Sequence, residues 1–177
     1  HATLAFKKSG DAILLIGETK GWLGSSAYLA TVCGREEGAP PPVDLDVEFQ
    51  HGTIVRNLIR KGTVSAVHDL SDGGLAVGLA EMAMAGNLGA TIQDFDTECP
   101  KHALFFGEDQ ARYLVTCDGS TAAEIEHHLT NAGVFAKFIG VVGGQTLNLP
   151  GEAPIAIAEL RDAHESWLPS YMAQAAE

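Results

Sequence analysis

Residues 64–84 read VSAVHDLSDGGLAVGLAEMAM. The stretch opens on β-favouring apolar residues, which predicts a short strand over 64–67. It closes on a segment dense in Ala, Leu and Met, which predicts a helix over 74–85 stopped by Gly86-Asn87. Between them lies a polar junction, His68-Asp69-Leu70-Ser71-Asp72-Gly73-Gly74. A strand that turns at once into a helix lays that helix back over a sheet, so the fold is built from both elements in alternation. The first N–H groups of such a helix have no partner inside it. Asp72 or Ser71 is the expected N-cap, and a carboxylate there also suits the positive helix end. Gly73 and Gly74 permit backbone conformations closed to other residues and let a group approach closely. Two readings stand side by side: a capped tight turn, or a site where Asp69 and Asp72 help hold Mg²⁺ while the helix start faces a phosphate. His68 is either a hydrogen-bonded neighbour or a base.

Working towards the N-terminus, 44–61 is predicted helical, with Leu45, Phe49, Ile54, Leu58 and Ile59 as its apolar stripe and Gly62 as its stop. EEGAPPPVD (36–44) contains three consecutive prolines and is a stiff surface loop. Residues 24–33 read as a helix of small residues ended by Gly34, and 12–16 as a strand. Towards the C-terminus the pattern gives a strand over 90–92 and a short helix over 100–106 with Pro100 in its first turn. A strand follows over 112–117, then a helix over 121–131 capped by Ser120 or Thr121. A strand over 135–142 is expected to turn back at Gly143-Gly144-Gln145 into 146–149 as an antiparallel hairpin. A short apolar segment over 153–157 precedes a closing helix over 159–172, anchored by Trp167. The expected architecture is an α+β fold, a layered α/β/α domain around a mixed sheet, with 1–177 as one domain.

The chain has 177 residues, 46% of them hydrophobic and 19% charged, which is ordinary for a globular core. Its formal charge of −12 argues against nucleic acid and anionic membrane surfaces as partners. Cys33, Cys99 and Cys117 are widely spaced, without CxxC, and are expected as buried small apolar residues in a reducing, cytoplasmic compartment. No apolar run reaches the length of a membrane span. The chain begins at His1 and runs quickly into a strand, so it is expected to be a piece cut from a longer protein.

Two further motifs carry possible chemistry. Phe106-Gly107-Glu108-Asp109-Gln110-Ala111-Arg112 stands directly before a strand. Its acids and amide can accept from a ligand's hydroxyls or amines, and Arg112 can clamp a carboxylate or phosphate; the plainer reading is a solvated loop with Arg112 paired to a nearby acid. Gly17-Glu18-Thr19-Lys20-Gly21-Trp22-Leu23-Gly24-Ser25-Ser26 is glycine- and serine-rich but lacks both GxxxxGK[ST] and GxGxxG order. The plainer reading packs Trp22 on the core and uses Ser25 or Ser26 as a helix cap. HExxH and GxSxG are absent.

Together FKKSGDAILLIGETKGWLGSSAYL (6–29), VHDLSDGGLAVGLAEMAMAG (67–86) and FGEDQARYLV (106–115) resemble the C-terminal part of phosphoribosylformylglycinamidine synthase. That family lies within a wider superfamily with aminoimidazole ribonucleotide synthetase, selenophosphate synthetase and thiamine-monophosphate kinase. The resemblance implies the fold of the C-terminal domain of aminoimidazole ribonucleotide synthetase. It implies an ATP- and Mg²⁺-dependent ligase that activates the amide oxygen of formylglycinamide ribonucleotide, with glutamine-derived ammonia displacing phosphate. The implied partners are upstream domains of the same chain, a glutaminase subunit or domain, and the phosphorylated ribonucleotide. The family's histidine bases and Gly-Asn-x-Ser motif would lie before residue 1, so no residue here is expected to be catalytic and the piece alone is expected to be inactive. Asp69, Ser71, Asp72, Gly73, Gly74, Glu108, Gln110 and Arg112 are expected to line an auxiliary, pseudo-symmetric cleft, with Asp69 and Asp72 as metal candidates. The rival readings are a stand-alone nucleotide-binding module and a sibling synthetase or kinase such as selenophosphate synthetase. A face normally covered by the rest of the longer protein is expected to leave an apolar patch and some self-association.

Overall fold

Strand β1 (Ala12–Ile16) runs through the middle of the sheet, and none of its residues is more than 2% exposed. Strand side chains alternate between faces. Accordingly Ile13 and Leu15 enter one apolar cluster, while Ala12, Leu14 and Ile16 enter another. A strand buried on both faces needs a helical layer on each, and the chain supplies both. The structure, a computed structural model, describes residues 1–95 and 99–174.

In chain order the other elements are α1 (Ala27–Val32), α2 (Leu45–Lys61), β2 (Ala66–Asp69), α3 (Gly74–Gly86), β3 (Ala90–Ile92), α4 (Lys101–Phe106) and β4 (Tyr113–Cys117). They are followed by α5 (Ala122–Asn131), β5 (Ala136–Val142), β6 (Thr146–Asn148), β7 (Ile155–Ala156) and α6 (Ile157–Gln174). The seven strands form one sheet in the order β2-β4-β1-β5-β3-β6-β7. Every pairing is antiparallel except β3 with β6, so the sheet is mixed. Leu75, Leu79 and Met82 of α3, Leu104 and Phe105 of α4 and Ile157 of α6 cover one face. Val55 and Leu58 of α2, with Ala122, Ile125 and Leu129 of α5, cover the other. The α/β/α layering expected from the sequence is the one observed.

Four expectations need correction. The hairpin between β5 and β6 does not form: β3 lies between them. Gly89 makes this possible, donating to Gly144 O at 2.9 Å and accepting from Gly143 N at 2.7 Å. A Cβ on Gly89 would stand 2.2 Å from Thr146 O. In α2 the buried positions are His51, Val55 and Leu58, whereas Leu45 and Phe49 are 77% and 76% exposed. Trp167 is not a core anchor; it is exposed and stacks on Tyr171, itself exposed. Of the cysteines only Cys117 is buried, Cys33 is exposed and Cys99 is intermediate. Among the described residues no helix is long and apolar enough to cross a membrane.

Candidate functional site

The sheet registers gather the three sequence motifs at one end. Ile16, the last residue of β1, pairs with Tyr113, the first of β4. Asp69, the last residue of β2, pairs with the same Tyr113. The segment after β1, the junction after β2 and the segment before β4 therefore emerge side by side.

The segment before β4 binds the other two. Asp109 Oδ2 accepts from the backbone N–H groups of Lys20 at 3.1 Å and Gly21 at 2.9 Å, and Oδ1 from that of Trp22 at 3.3 Å. One carboxylate thus fixes the turn of the glycine-rich loop. Glu108 Oε1 accepts from Ala27 N and Gly73 N, both at 2.8 Å. It serves orphan donors at the starts of α1 and α3 at once. Arg112, 1% exposed, donates from Nε to Asp109 O at 3.1 Å and from its terminal nitrogens to Thr19 Oγ1 at 3.0 Å and to Gly107 O. Burial pulls the guanidinium below its ordinary pKa, and the Asp109 and Glu108 charges oppose that pull. The motif is an internal clasp that takes up its own acids and its arginine.

Asp72 and Ser71 do not cap α3. The cap position is Gly73, in the left-handed region at φ 76°, and no side chain caps the helix start. The glycine at the cap position has no side chain to offer the first turn, and its own N–H is taken up by the buried carboxylate of Glu108. Gly74 also sits at φ 61°, where a Cβ would stand 2.3 Å from Gly107 O, so the second glycine is needed for α3 to pass the clasp. Ser71 Oγ donates to Asp69 Oδ2 at 3.4 Å. His68 Nε2 lies 2.6 Å from Glu81 Oε2 and its Nδ1 3.6 Å from Asp69 Oδ1, so it tethers β2 to α3. Ser26 is the cap of α1, accepting from Leu29 N at 3.2 Å. Trp22 does not pack on the core; its Nε1 donates to Ala39 O at 2.8 Å and ties the loop to the proline segment.

Beside the clasp opens a cavity of about 510 Å³ between the 18–22 segment, the first turns of α2 and residues 109–111. Of the eight residues predicted to line a cleft, only Gln110 lines this one. Glu108 and Arg112 are buried behind it, and Asp69, Ser71, Asp72, Gly73 and Gly74 lie at the neighbouring junction. His51 and Glu48 were missed by sequence reasoning. Ala111 adopts φ 58°, unusual for a residue with a Cβ. Its N–H donates to Glu48 Oε1 at 2.8 Å and its carbonyl accepts from His51 Nδ1 at 2.7 Å. The signal was present: His51, Val55 and Leu58 share one helical phase. The stripe of Leu45, Phe49, Ile54, Leu58 and Ile59 shares only Leu58 with it and passed over His51 and Val55.

Among the described residues no three His, Cys, Asp or Glu side chains are grouped to hold a metal ion. Asp69 and Asp72 offer two carboxylates, which suits only an ion that brings phosphate and water ligands of its own.

A family model described as AIR synthase related protein, C-terminal domain, matches residues 8–149. The chain belongs to that family. This AIR synthase related domain is 57% identical over 171 residues to the phosphoribosylformylglycinamidine synthase subunit PurL of Rhodopseudomonas palustris strain TIE-1, covering 97% of this chain and 23% of that protein. It is 56% identical over 174 residues to the corresponding subunit of Methylocella silvestris, covering 98% of this chain and 24% of that protein. The domain therefore spans about a quarter of the length of these curated relatives. In fold it matches T. maritima PurL complexed with FGAR at a TM-score of 0.72 and 16% identity, over 90% of this chain and 29% of that one. The E. coli hydrogenase maturation protein HypE matches at a TM-score of 0.59 and 18% identity, over 88% of this chain and 51% of that one.

Proposed function

We propose that the AIR synthase related domain serves as the C-terminal domain of a PurL-type phosphoribosylformylglycinamidine synthase. The observation that carries this is 57% identity extending over 97% of the chain to a subunit of that name. The whole protein would convert formylglycinamide ribonucleotide to formylglycinamidine ribonucleotide in the cytoplasm, using ATP, Mg²⁺ and ammonia from a glutaminase subunit or domain. Within it this domain supplies scaffold and one wall of an auxiliary cleft, with Gln110 facing open space beside the clasp. Asp69 and Asp72, both at the junction between β2 and α3, are the residues that would contribute carboxylates to a Mg²⁺ ion carried on nucleotide phosphates. Glu108, Asp109 and Arg112 are engaged in holding the loop and helix starts together, so the domain is assigned a structural part and is expected to have no turnover alone.

The test replaces the matching segment of the R. palustris subunit with this chain. The chimera is expected to retain ammonia-dependent, ATP-dependent amidine formation. A folded chimera without turnover would sink the reading, as would turnover by the isolated domain at the rate of an intact enzyme.

A further inference from the structure

We propose that the cavity between α2 and the 18–22 segment binds a planar, nitrogen-rich heterocycle that carries no phosphate, a purine base or nucleoside. The inference rests on this chain's own residues and stands apart from any whole-protein activity.

His51 supplies the directing group. The ring is 6% exposed and lines the cavity. Its Nδ1 is 2.7 Å from Ala111 O. A carbonyl only accepts, so Nδ1 carries a hydrogen. No buried side-chain nitrogen or oxygen among the described residues lacks a partner. Nε2, which has no partner among the described residues, therefore reaches open space, and His51 lines this cavity. In the neutral ring Nε2 is an acceptor for a ligand N–H. Two α2 side chains hold the strained Ala111 peptide, and that peptide carries Gln110 at the cavity wall. Gln110 Nε2 reaches Glu108 O at 3.4 Å, which leaves its second N–H and its carbonyl oxygen uncommitted. A carboxamide with one donor and one acceptor matches the paired acceptor and donor on the edge of an adenine ring.

The remaining lining selects shape and charge. Trp22 and Phe135 provide aromatic faces, and base–aromatic stacking is sequence-tolerant and favourable. Glu18, Asp44 and Asp109 also line the space, against Lys20 alone. The start of α2 offers an anion nothing, because Asp44 Oδ1 already accepts from Asp46 N at 3.0 Å and Val47 N at 3.2 Å. A phosphate would enter a field of net negative sign with the helix donors taken.

Trp22 is one of two tryptophans in the chain, so Trp167→Phe leaves it as the reporter. Adenosine added to this variant is expected to quench Trp22 emission saturably at micromolar to millimolar concentration. AMP is expected to bind about tenfold more weakly, the cost of bringing a dianion beside like charges. Adding His51→Asn keeps a donor near the Nδ1 position and removes Nε2, which is expected to weaken adenosine about fivefold. Gln110→Ala, at an exposed side chain that the fold does not need, is expected to weaken it by a similar factor. Absence of saturable quenching by adenosine overturns the site. AMP binding as tightly as adenosine overturns the ligand class, and unchanged affinity in Gln110→Ala overturns the proposed contacts, whether or not His51→Asn folds.

Discussion

Glu108 Oε1 and the backbone N–H of Gly73 meet at 2.8 Å across 35 residues of sequence. The same oxygen holds Ala27 N, so a single buried carboxylate sets the starts of two helices. Charge-assisted bonds of this kind are worth more than neutral ones, and losing the acceptor leaves two donors orphaned. Glu108→Ala is expected to lower the unfolding free energy by about 3 kcal/mol. Glu108→Gln, which keeps an amide oxygen, is expected to cost about half of that. Urea titrations of both variants check this; an alanine variant as stable as the parent would remove the clasp from the account of the fold.

Gly74 and Gly62 both sit in the left-handed region, at φ 61° and 68°, but their surroundings differ. A Cβ at Gly62 meets nothing within 4 Å, whereas one at Gly74 would stand 2.3 Å from Gly107 O and 3.1 Å from Phe105 O. Gly62→Ala should therefore cost only the conformational penalty, about 1 kcal/mol. Gly74→Ala adds a clash with backbone that cannot swing aside, for a total of about 3 kcal/mol or more. Thermal or chemical denaturation that ranks the two variants equally would contradict the close approach of α3 to the clasp.

These two contrasts show what the sequence carried and what it withheld. Element order and layering were legible because β1 is apolar throughout and α3 follows β2 within a few residues, both local patterns. The three motifs were visible as sequence, and the sheet registers bring them to one end of the fold. Hidden were the partners across the sequence: which donors Glu108 would hold, and that β3 would lie between β5 and β6. A carboxylate in a loop looks the same whether it faces solvent or a distant helix start, and only the sheet register decides. Leu45 and Phe49 misled for the converse reason: helical spacing shows that a face exists, not that anything covers it.

Stability should fall on the alkaline side. Burial, with the charges of Asp11 and Asp118, raises the Cys117 thiol above its ordinary 9.0, against a lowering hydrogen bond from Thr121. Burial, with Glu48 and Asp69, raises Tyr113 above its ordinary 10.0. Both groups are neutral in the folded protein and ionise more readily when unfolded. Their contribution is fully present below the unfolded values and is lost as pH rises through the folded ones. Unfolding free energies measured between about pH 8 and 11 should decline. Cys117→Ala should flatten the first part of that decline and Tyr113→Phe the second. A pH profile identical to the parent's in the double variant would show that other groups are responsible.

Leu45 and Phe49 stand four residues apart on α2, both more than three-quarters exposed. Residues so spaced share one helical face, and Val43 just before the helix is exposed as well. Bulky apolar side chains grouped in this way favour association, because each contact removes their surface from water. The domain is expected to self-associate in a concentration-dependent way, visible as a rising mean mass in light scattering. Replacing both residues, Leu45→Ser with Phe49→Ser, should shift that rise to higher concentration. The unfolding midpoint should change by less than about 0.5 kcal/mol equivalent, since neither side chain is buried in the fold. A parent that stays monomeric at high concentration would show that this face is too small or too divided to drive association. A double variant that associates as readily would move the responsible surface elsewhere, with exposed Trp167, Leu168 and Tyr171 of α6 the next to replace.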